Sequence, residues 1–227
     1  MTLAMITLPL LAACGGDDGE GTPKPTDTST PQAKDVVITI GNLTDITGST
    51  ANAMVVIDTA LDDLADYFNK TILPAGVSLE IISYDGQHDP SRYIPGYEWL
   101  KERGADLIFT GFPAATATLG PKANQDQIVL FGASVYIEDL LPPGYVFCLG
   151  NIPQYDGYTL LKWLAENDWD YETNGPAKIG GACWYGSAGE KMQEGMKEYA
   201  QAHPDQYEWV GSFATNQTFN WGPEAEA

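Results

Sequence analysis

The sequence predicts an α/β fold in which parallel sheets are flanked by helices and the chain forms two lobes. A charge-poor, β-rich run opens the ordered part of the chain and leads through a polar loop into an amphipathic helix. The same strand–loop–helix unit then recurs along the sequence, and the pattern restarts after Asn151. Strands that alternate with helices favour parallel sheets joined by right-handed crossovers.

The first unit spans residues 36–70. Val36 to Leu43 is apolar enough to be a strand buried on both faces, and Gly and Asp residues then break it into a turn. Ser49 or Thr50 can cap the following helix. One apolar stripe of that helix consists of Met54, Ile57, Leu61, Leu64, Ala65 and Phe68. Ligands of open α/β sheets bind at the carboxyl ends of the strands, so this loop is a candidate site region.

The later elements follow from the same patterns. Strands are predicted at 77–83, 105–111, 127–132, 145–149, 177–184 and 207–213, and helices at 91–104, 113–125, 155–167 and 188–202. Turn residues at 143–144 and 151–153 mark the lobe boundary. We therefore expect an N-terminal lobe over residues 35–150 and a second lobe over 151–227.

Composition narrows the range of partners. The chain has 227 residues and a net charge of -20, from 11 basic and 31 acidic residues. Nucleic-acid binding is not expected, because phosphate contacts need Lys and Arg. No apolar run reaches the length of about 18 residues that a membrane-spanning helix requires.

The first 34 residues differ from the rest. Residues 1–13 are apolar and end in Leu-Ala-Ala before Cys14, which resembles the bacterial lipobox and implies a signal peptide cleaved before a lipidated Cys14. The alternative is a cysteine that lies beside alanines by chance. Residues 14–34 are rich in Gly, Pro, Asp and Thr and are predicted to be a disordered tether.

Five segments of the chain carry a family resemblance: IGNLTDITGSTA (40–51), the Asp85–Asp89–Pro90 loop, ADLIFTGFPAATATLGP (105–121), GYVFCLGNIPQYDGYTLLKWL (144–164) and Trp184-Tyr185-Gly186. Together they resemble the type I periplasmic substrate-binding proteins, the Leu/Ile/Val-binding-protein family of ABC importers. No single motif is specific, so the resemblance depends on their order and spacing. In that family the second lobe is complete and the chain then returns to the first, so the resemblance implies that the second lobe is incomplete here.

The resemblance implies that a small polar ligand, such as an amino acid or amide, is captured between the lobes and delivered to an ABC permease. The protein would then be periplasmic or on the cell surface, held to the membrane by its lipid. Two alternatives remain open, a ligand-sensing module for a signalling receptor and an α/β enzyme. Genes for a permease and an ATPase beside this one would favour the transporter.

The ligand contacts implied by the resemblance lie in three segments. Ala114, Ala115 and Thr116 begin a helix whose backbone N–H groups can bind an anionic group, although the alanines can also simply pack the helix. Ala133 and Ser134 follow a strand, where Ser134 can bond a ligand or cap a turn. Tyr185 can close over the ligand from the second lobe or pack within it.

The sequence offers little for catalysis. His88 and His203 are the only histidines, and both fall in loop or helix-end contexts. No catalytic set, cofactor motif or Cys/His spacing typical of a metal site is present, so we expect no catalytic residue, cofactor or metal. Cys148 and Cys183 can either form a disulfide or remain as two buried thiols.

Overall fold

The computed structural model describes residues 35–215 together with residues 221, 222 and 226. The predicted signal peptide, tether and lipidated Cys14 therefore lie outside the described residues. Within the described part, no helix is both long and apolar enough to cross a membrane.

The chain alternates between strands and helices. The strands are β1 Val36–Thr44, β2 Val77–Asp85, β3 Leu107–Thr110, β4 Val129–Ser134, β5 Val146–Asn151, β6 Ala177–Trp184 and β7 Tyr207–Thr215. The helices are α1 Ala51–Thr71, α2 Tyr93–Glu102, α3 Pro113–Asp126, α4 Pro153–Asn167, α5 Tyr171–Asn174 and α6 Ala188–Ala202, with short 3-10 turns at Pro90–Arg92 and Ile137–Leu140. Every predicted strand and helix is present, with ends that shift by a few residues.

Five strands form one parallel sheet in the order β2-β1-β3-β4-β5. We call this sheet with α1, α2 and α3 the first lobe. Helix α2 packs over Leu43 and Tyr84 of this sheet, and its Tyr93, Tyr97 and Leu100 are buried. The core on this face continues through Ile108, Leu119 and Leu130, all fully buried.

The opposite face of this sheet is covered only in part. Strand β1 is buried at its carboxyl half, whereas Val36 and Val37 are about half exposed, which corrects the expectation of burial along the whole strand. An apolar groove of about 470 Å³ lies between α1 and the sheet. Its lining consists of Ile40, Val56, Ile57, Ala60, Leu61, Leu64, Leu107, Phe109, Phe131 and Leu149. Part of the predicted apolar stripe of α1 therefore lines this open groove and is not enclosed in a core.

Strands β6 and β7 form a second parallel sheet, which together with α4, α5 and α6 we call the second lobe. Helices α4 and α6 pack closely because Gly157 and Gly195 have no side chain at the contact. An added Cβ at Gly195 would overlap the backbone of Gln154, and one at Gly157 would overlap the carbonyl of Met192. Below them, the buried Tyr207 hydroxyl donates to the carbonyl of Leu161 at 2.7 Å.

The structure leaves both described cysteines unpaired. Cys148 lies on β5 and Cys183 on β6, in different sheets, and both are free thiols. Burial raises the pKa of the Cys183 thiol, with a further contribution from nearby Glu190.

Candidate functional site

A cleft of about 240 Å³ opens between the two lobes. Residues from the loop after β2, the start of α2, the start of α3 and the ends of β6 and β7 surround it. They are His88, Pro90, Tyr93, Ala114, Tyr185, Gly186 and Thr215. All these segments follow the carboxyl ends of strands or begin helices, as expected for a ligand site in an α/β fold.

The loop after β1 is organised by a buried carboxylate. Asp45 is fully buried and accepts hydrogen bonds from the backbone N–H of Gly48 and from both the N–H and the hydroxyl of Thr50. Thr50 occupies the N-cap position of α1, but its hydroxyl is directed to Asp45 and does not cap the helix. The expectation that the Ser49 or Thr50 side chain caps α1 is therefore wrong, because α1 has no side-chain cap hydrogen bond.

A second carboxylate ties this loop to the loop after β2. Asp85 accepts from the N–H of Ile46 at 2.9 Å and from the Thr47 hydroxyl at 2.6 Å. Burial acts to raise the pKa of Asp85, but the Thr47 and backbone hydrogen bonds outweigh it and lower the pKa. Gln87 adds a bond from its side-chain amide to the Thr47 hydroxyl at 2.8 Å.

The loop that carries His88 has an unusual backbone. Gln87 and His88 adopt φ angles of 53° and 52°, a left-handed conformation that is uncommon outside glycine. The His88 ring stacks on Phe112, with ring centroids 4.7 Å apart. Asp89 then accepts from the N–H and hydroxyl of Ser91, which lower its pKa. Strained, well-anchored backbone of this kind is concentrated at functional sites.

Two tyrosines of the first lobe stay protonated near the cleft. Burial raises the pKa of Tyr93 to about 12, with smaller contributions from Tyr136, Asp89 and Asp45. Burial also raises the pKa of Tyr136 to about 12. The Tyr136 hydroxyl donates to the carbonyl of Gly186 in the second lobe at 3.2 Å.

Further polar contacts join the lobes beside the cleft. Lys191 of α6 pairs with Glu138 of the first lobe at 2.9 Å, and the amide of Gln154 donates to the same carboxylate at 2.9 Å. Hydrogen bonds to Glu194 and Glu138 raise the pKa of Lys191, although its burial opposes them. These contacts link the two lobes beside the cleft.

The structure brings two of the predicted site residues together. Ala114 and Tyr185 line the same cleft from different lobes. Ala115 and Thr116 are fully buried in the first lobe, and the Thr116 hydroxyl donates to the carbonyl of Pro113 at 2.7 Å. The methyl group of Thr116 lies against Gly132 in the core, and a ligand contact of the Thr116 hydroxyl stays a prediction.

Ala133 and Ser134 belong to the end of β4, which runs two residues further than predicted. Both are half-buried, and neither is among the residues that line the cleft. The Ser134 hydroxyl oxygen is buried and has no hydrogen-bond partner within the described part of the chain. A ligand role for these two residues stays a prediction.

The predicted ligand residues do not include five of the residues that line the cleft: His88, Pro90, Tyr93, Gly186 and Thr215. Tyr93 lies on the buried face of α2, a position that by itself indicates packing. The Asp85–Asp89–Pro90 loop is the sequence feature that could have indicated them, because it leads into the start of α2 beside the cleft. Beside the cleft, Trp184 stacks on Trp221 with centroids 6.4 Å apart.

Metal binding has no support in the described residues, among which no group of three or more His, Cys, Asp or Glu side chains is arranged to hold an ion.

The comparisons with known proteins agree on the fold. The family model described as periplasmic binding protein matches residues 37–215. No curated protein matches the chain.

Solved structures resemble the chain at low identity. A branched-chain amino acid ABC transporter protein from Thermus thermophilus with bound valine has a TM-score of 0.71 and 20% identity, covering 85% of this chain and 50% of that one. A solute-binding protein from R. palustris in complex with benzoate has a TM-score of 0.68 and 16% identity, covering 84% and 52%. A fatty acid ABC transporter substrate-binding protein from Thermomonospora curvata has a TM-score of 0.71 and 18% identity, covering 85% and 48%.

The chain thus spans about half the length of the solved structures that it matches. The expected two-lobed type I fold, with parallel sheets flanked by helices and a partial second lobe, agrees with these neighbours. From the family match over most of the described chain, we conclude that this protein belongs to the periplasmic binding protein family.

Proposed function

We propose that the chain is the ligand-capturing part of an extracytoplasmic solute-binding lipoprotein that delivers a small polar ligand to an ABC permease. The observation that carries this proposal is the cleft, because its lining comes from both lobes: His88, Tyr93 and Ala114 from the first, and Tyr185 from the second. A ligand seated there would contact both lobes at once, and its binding energy would favour their closure.

The surroundings of the cleft support capture and release more than chemistry. The loop carboxylates Asp45 and Asp85 are already occupied by hydrogen bonds from their own loops. They build a rigid wall and are not positioned as free bases. The similar solved structures are solute-binding proteins and not enzymes, which agrees with this assignment.

The proposed location includes an anchor. Cys14 would carry the lipid and residues 15–34 would act as the tether, a reading that rests on the sequence alone. A polar, proline-containing tether would let the lobes reach a permease in the same membrane.

A thermal-shift screen of the full-length protein tests the function. Amino acids, amides, urea and small carboxylates are added separately, and each hit is confirmed by calorimetry. A ligand that binds only the native state raises its melting temperature by mass action. We expect at least one small solute to raise the melting temperature. If no solute of a broad panel changes it, the result would count against a solute-binding role.

A further inference from the structure

The cleft contains a hydrogen-bond donor without a partner. Tyr93 is only 1% exposed, it lines the cleft, and its hydroxyl makes no hydrogen bond within the described part of the chain. Because its pKa is raised to about 12, the hydroxyl keeps its proton at physiological pH. A buried hydroxyl without a partner is costly, so a ligand that supplies an acceptor atom gains from meeting it.

The carboxylates that act on the Tyr93 hydroxyl raise its pKa and come from Asp89 and Asp45. Of the residues that line the cleft, none is Lys or Arg, and burial lowers the pKa of His88, which keeps it neutral at neutral pH. Asp45 and Asp89 are close enough to Tyr93 to raise its pKa. A ligand carboxylate would therefore meet no Lys or Arg side chain among the described lining residues, and a buried charge without a cationic partner loses its hydration without compensation.

Several backbone N–H groups near the helix starts beside the cleft already have partners in the protein. At the start of α3, the N–H groups of Ala115 and Thr116 bond to the carbonyl of Phe112. At the start of α6, the carboxylate of Glu190 accepts from the N–H of Gly186 at 2.8 Å. A negative side chain of the protein thus takes the place that a ligand carboxylate would need beside Tyr185.

We propose that the cleft selects an uncharged ligand whose carbonyl oxygen accepts a hydrogen bond from Tyr93, of the primary amide class, and discriminates against the corresponding carboxylate. This inference rests on the proposed function, since it names the ligand class of the same cleft. The apolar and aromatic surfaces of Pro90, Ala114 and Tyr185 would enclose the body of such an amide.

The test uses matched neutral and anionic probes on the full-length protein. Benzamide is compared with benzoate, and isobutyramide with isobutyrate, by thermal shift and calorimetry. We expect the amide of each pair to bind at least tenfold more tightly than the carboxylate. Tyr93→Phe should weaken amide binding about threefold to tenfold, which corresponds to the loss of one hydrogen bond.

Two readouts separate a ligand contact from a structural role. Because the Tyr93 hydroxyl has no hydrogen-bond partner among the described residues, Tyr93→Phe should leave the ligand-free melting temperature unchanged or slightly raised. Tyr97→Phe is the matched control on the same helix, since the Tyr97 hydroxyl bonds to Asp126, and it should leave amide affinity unchanged.

The outcomes distinguish this inference from the proposed function. If carboxylates bind as tightly as the amides, or if Tyr93→Phe binds amides like the wild type, the ligand class is wrong while solute binding stands. If neither probe series binds but another solute from the broad panel does, the amide inference again fails alone. Failure of the whole panel removes both proposals.

Discussion

Single side chains on the two sides of the cleft differ in how firmly they are held. Asp45 and Asp85 are fixed by several hydrogen bonds each, and they fix the first lobe's loops in turn. Tyr185 is 64% exposed, with its ring over the cleft. The first lobe therefore provides a preformed wall, and Tyr185 provides the adaptable contact.

Tyr185→Ala should accelerate ligand release more than it slows association, because the ring can add contact mainly in the ligand-bound state. The dissociation rate, measured by stopped flow with any ligand identified in the screen, should rise several-fold. Tyr67→Ala removes a similarly exposed ring from α1 and serves as the control. Equal dissociation rates for Tyr185→Ala and the wild type would exclude a closing role.

Replacing Cys14 with Ser should move the full-length protein from the membrane to the soluble fraction, because serine cannot carry a thioether-linked lipid. Fractionation followed by immunoblotting measures the distribution. Membrane association that persists in Cys14→Ser, with no second anchor present, would contradict the lipoprotein assignment.

Among the elements, α4 and α6 depend most on a close approach. Their contact passes through Gly157 and Gly195, which leave no space for a Cβ atom. From the sequence alone, a glycine inside a helix only lowers the helix propensity. The close packing of α4 against α6 explains why glycine occupies these two positions.

Gly195→Ala should destabilise the second lobe by about 1–3 kcal/mol, because the added methyl group must push α4 away despite alanine's better helix propensity. Urea unfolding followed by circular dichroism measures the change. Lys197→Ala is the matched control on an exposed position of the same helix and should have little effect. A Gly195→Ala variant that is as stable as the wild type would show that the two helices can separate without cost.

The elements themselves could be predicted from the sequence, whereas much of the site could not. Hydrophobic periodicity located each strand and helix, since strands of a parallel sheet read as apolar runs. The direction of a side chain within the first turn of α3 depends on where Pro113 starts the helix, so Ala114 faces the cleft while Thr116 is buried. The position of Tyr93 in the cleft lining could not be predicted, because a tyrosine of the core and a tyrosine beside a cleft give the same sequence pattern.

For the molecule as a whole, the uneven covering of the first sheet matters most. The apolar groove beside α1 is lined by ten apolar residues, of which Leu64 and Leu149 are 54% and 62% exposed. Apolar surface of this kind on a protein in water promotes association.

Residues 35–227 produced alone should therefore self-associate as their concentration rises, measured by sedimentation velocity. Combining Leu64→Glu with Leu149→Glu should shift the distribution towards monomer, because charges in the groove oppose its burial. Ile72→Glu, at an exposed position outside the groove, should not. If residues 35–227 stay monomeric at every concentration, the groove does not mediate self-association.

The stacked pair of Trp184 and Trp221 gives the protein a built-in optical reporter. Trp184 directly precedes Tyr185, so any displacement of the Tyr185 ring by a ligand alters the environment of the neighbouring indole. Trp99, Trp163 and Trp209 lie on other elements and Trp169 lies between α4 and α5, so these four contribute a steady background emission. Ligand titrations can consequently be followed as a change in tryptophan fluorescence, without any attached dye.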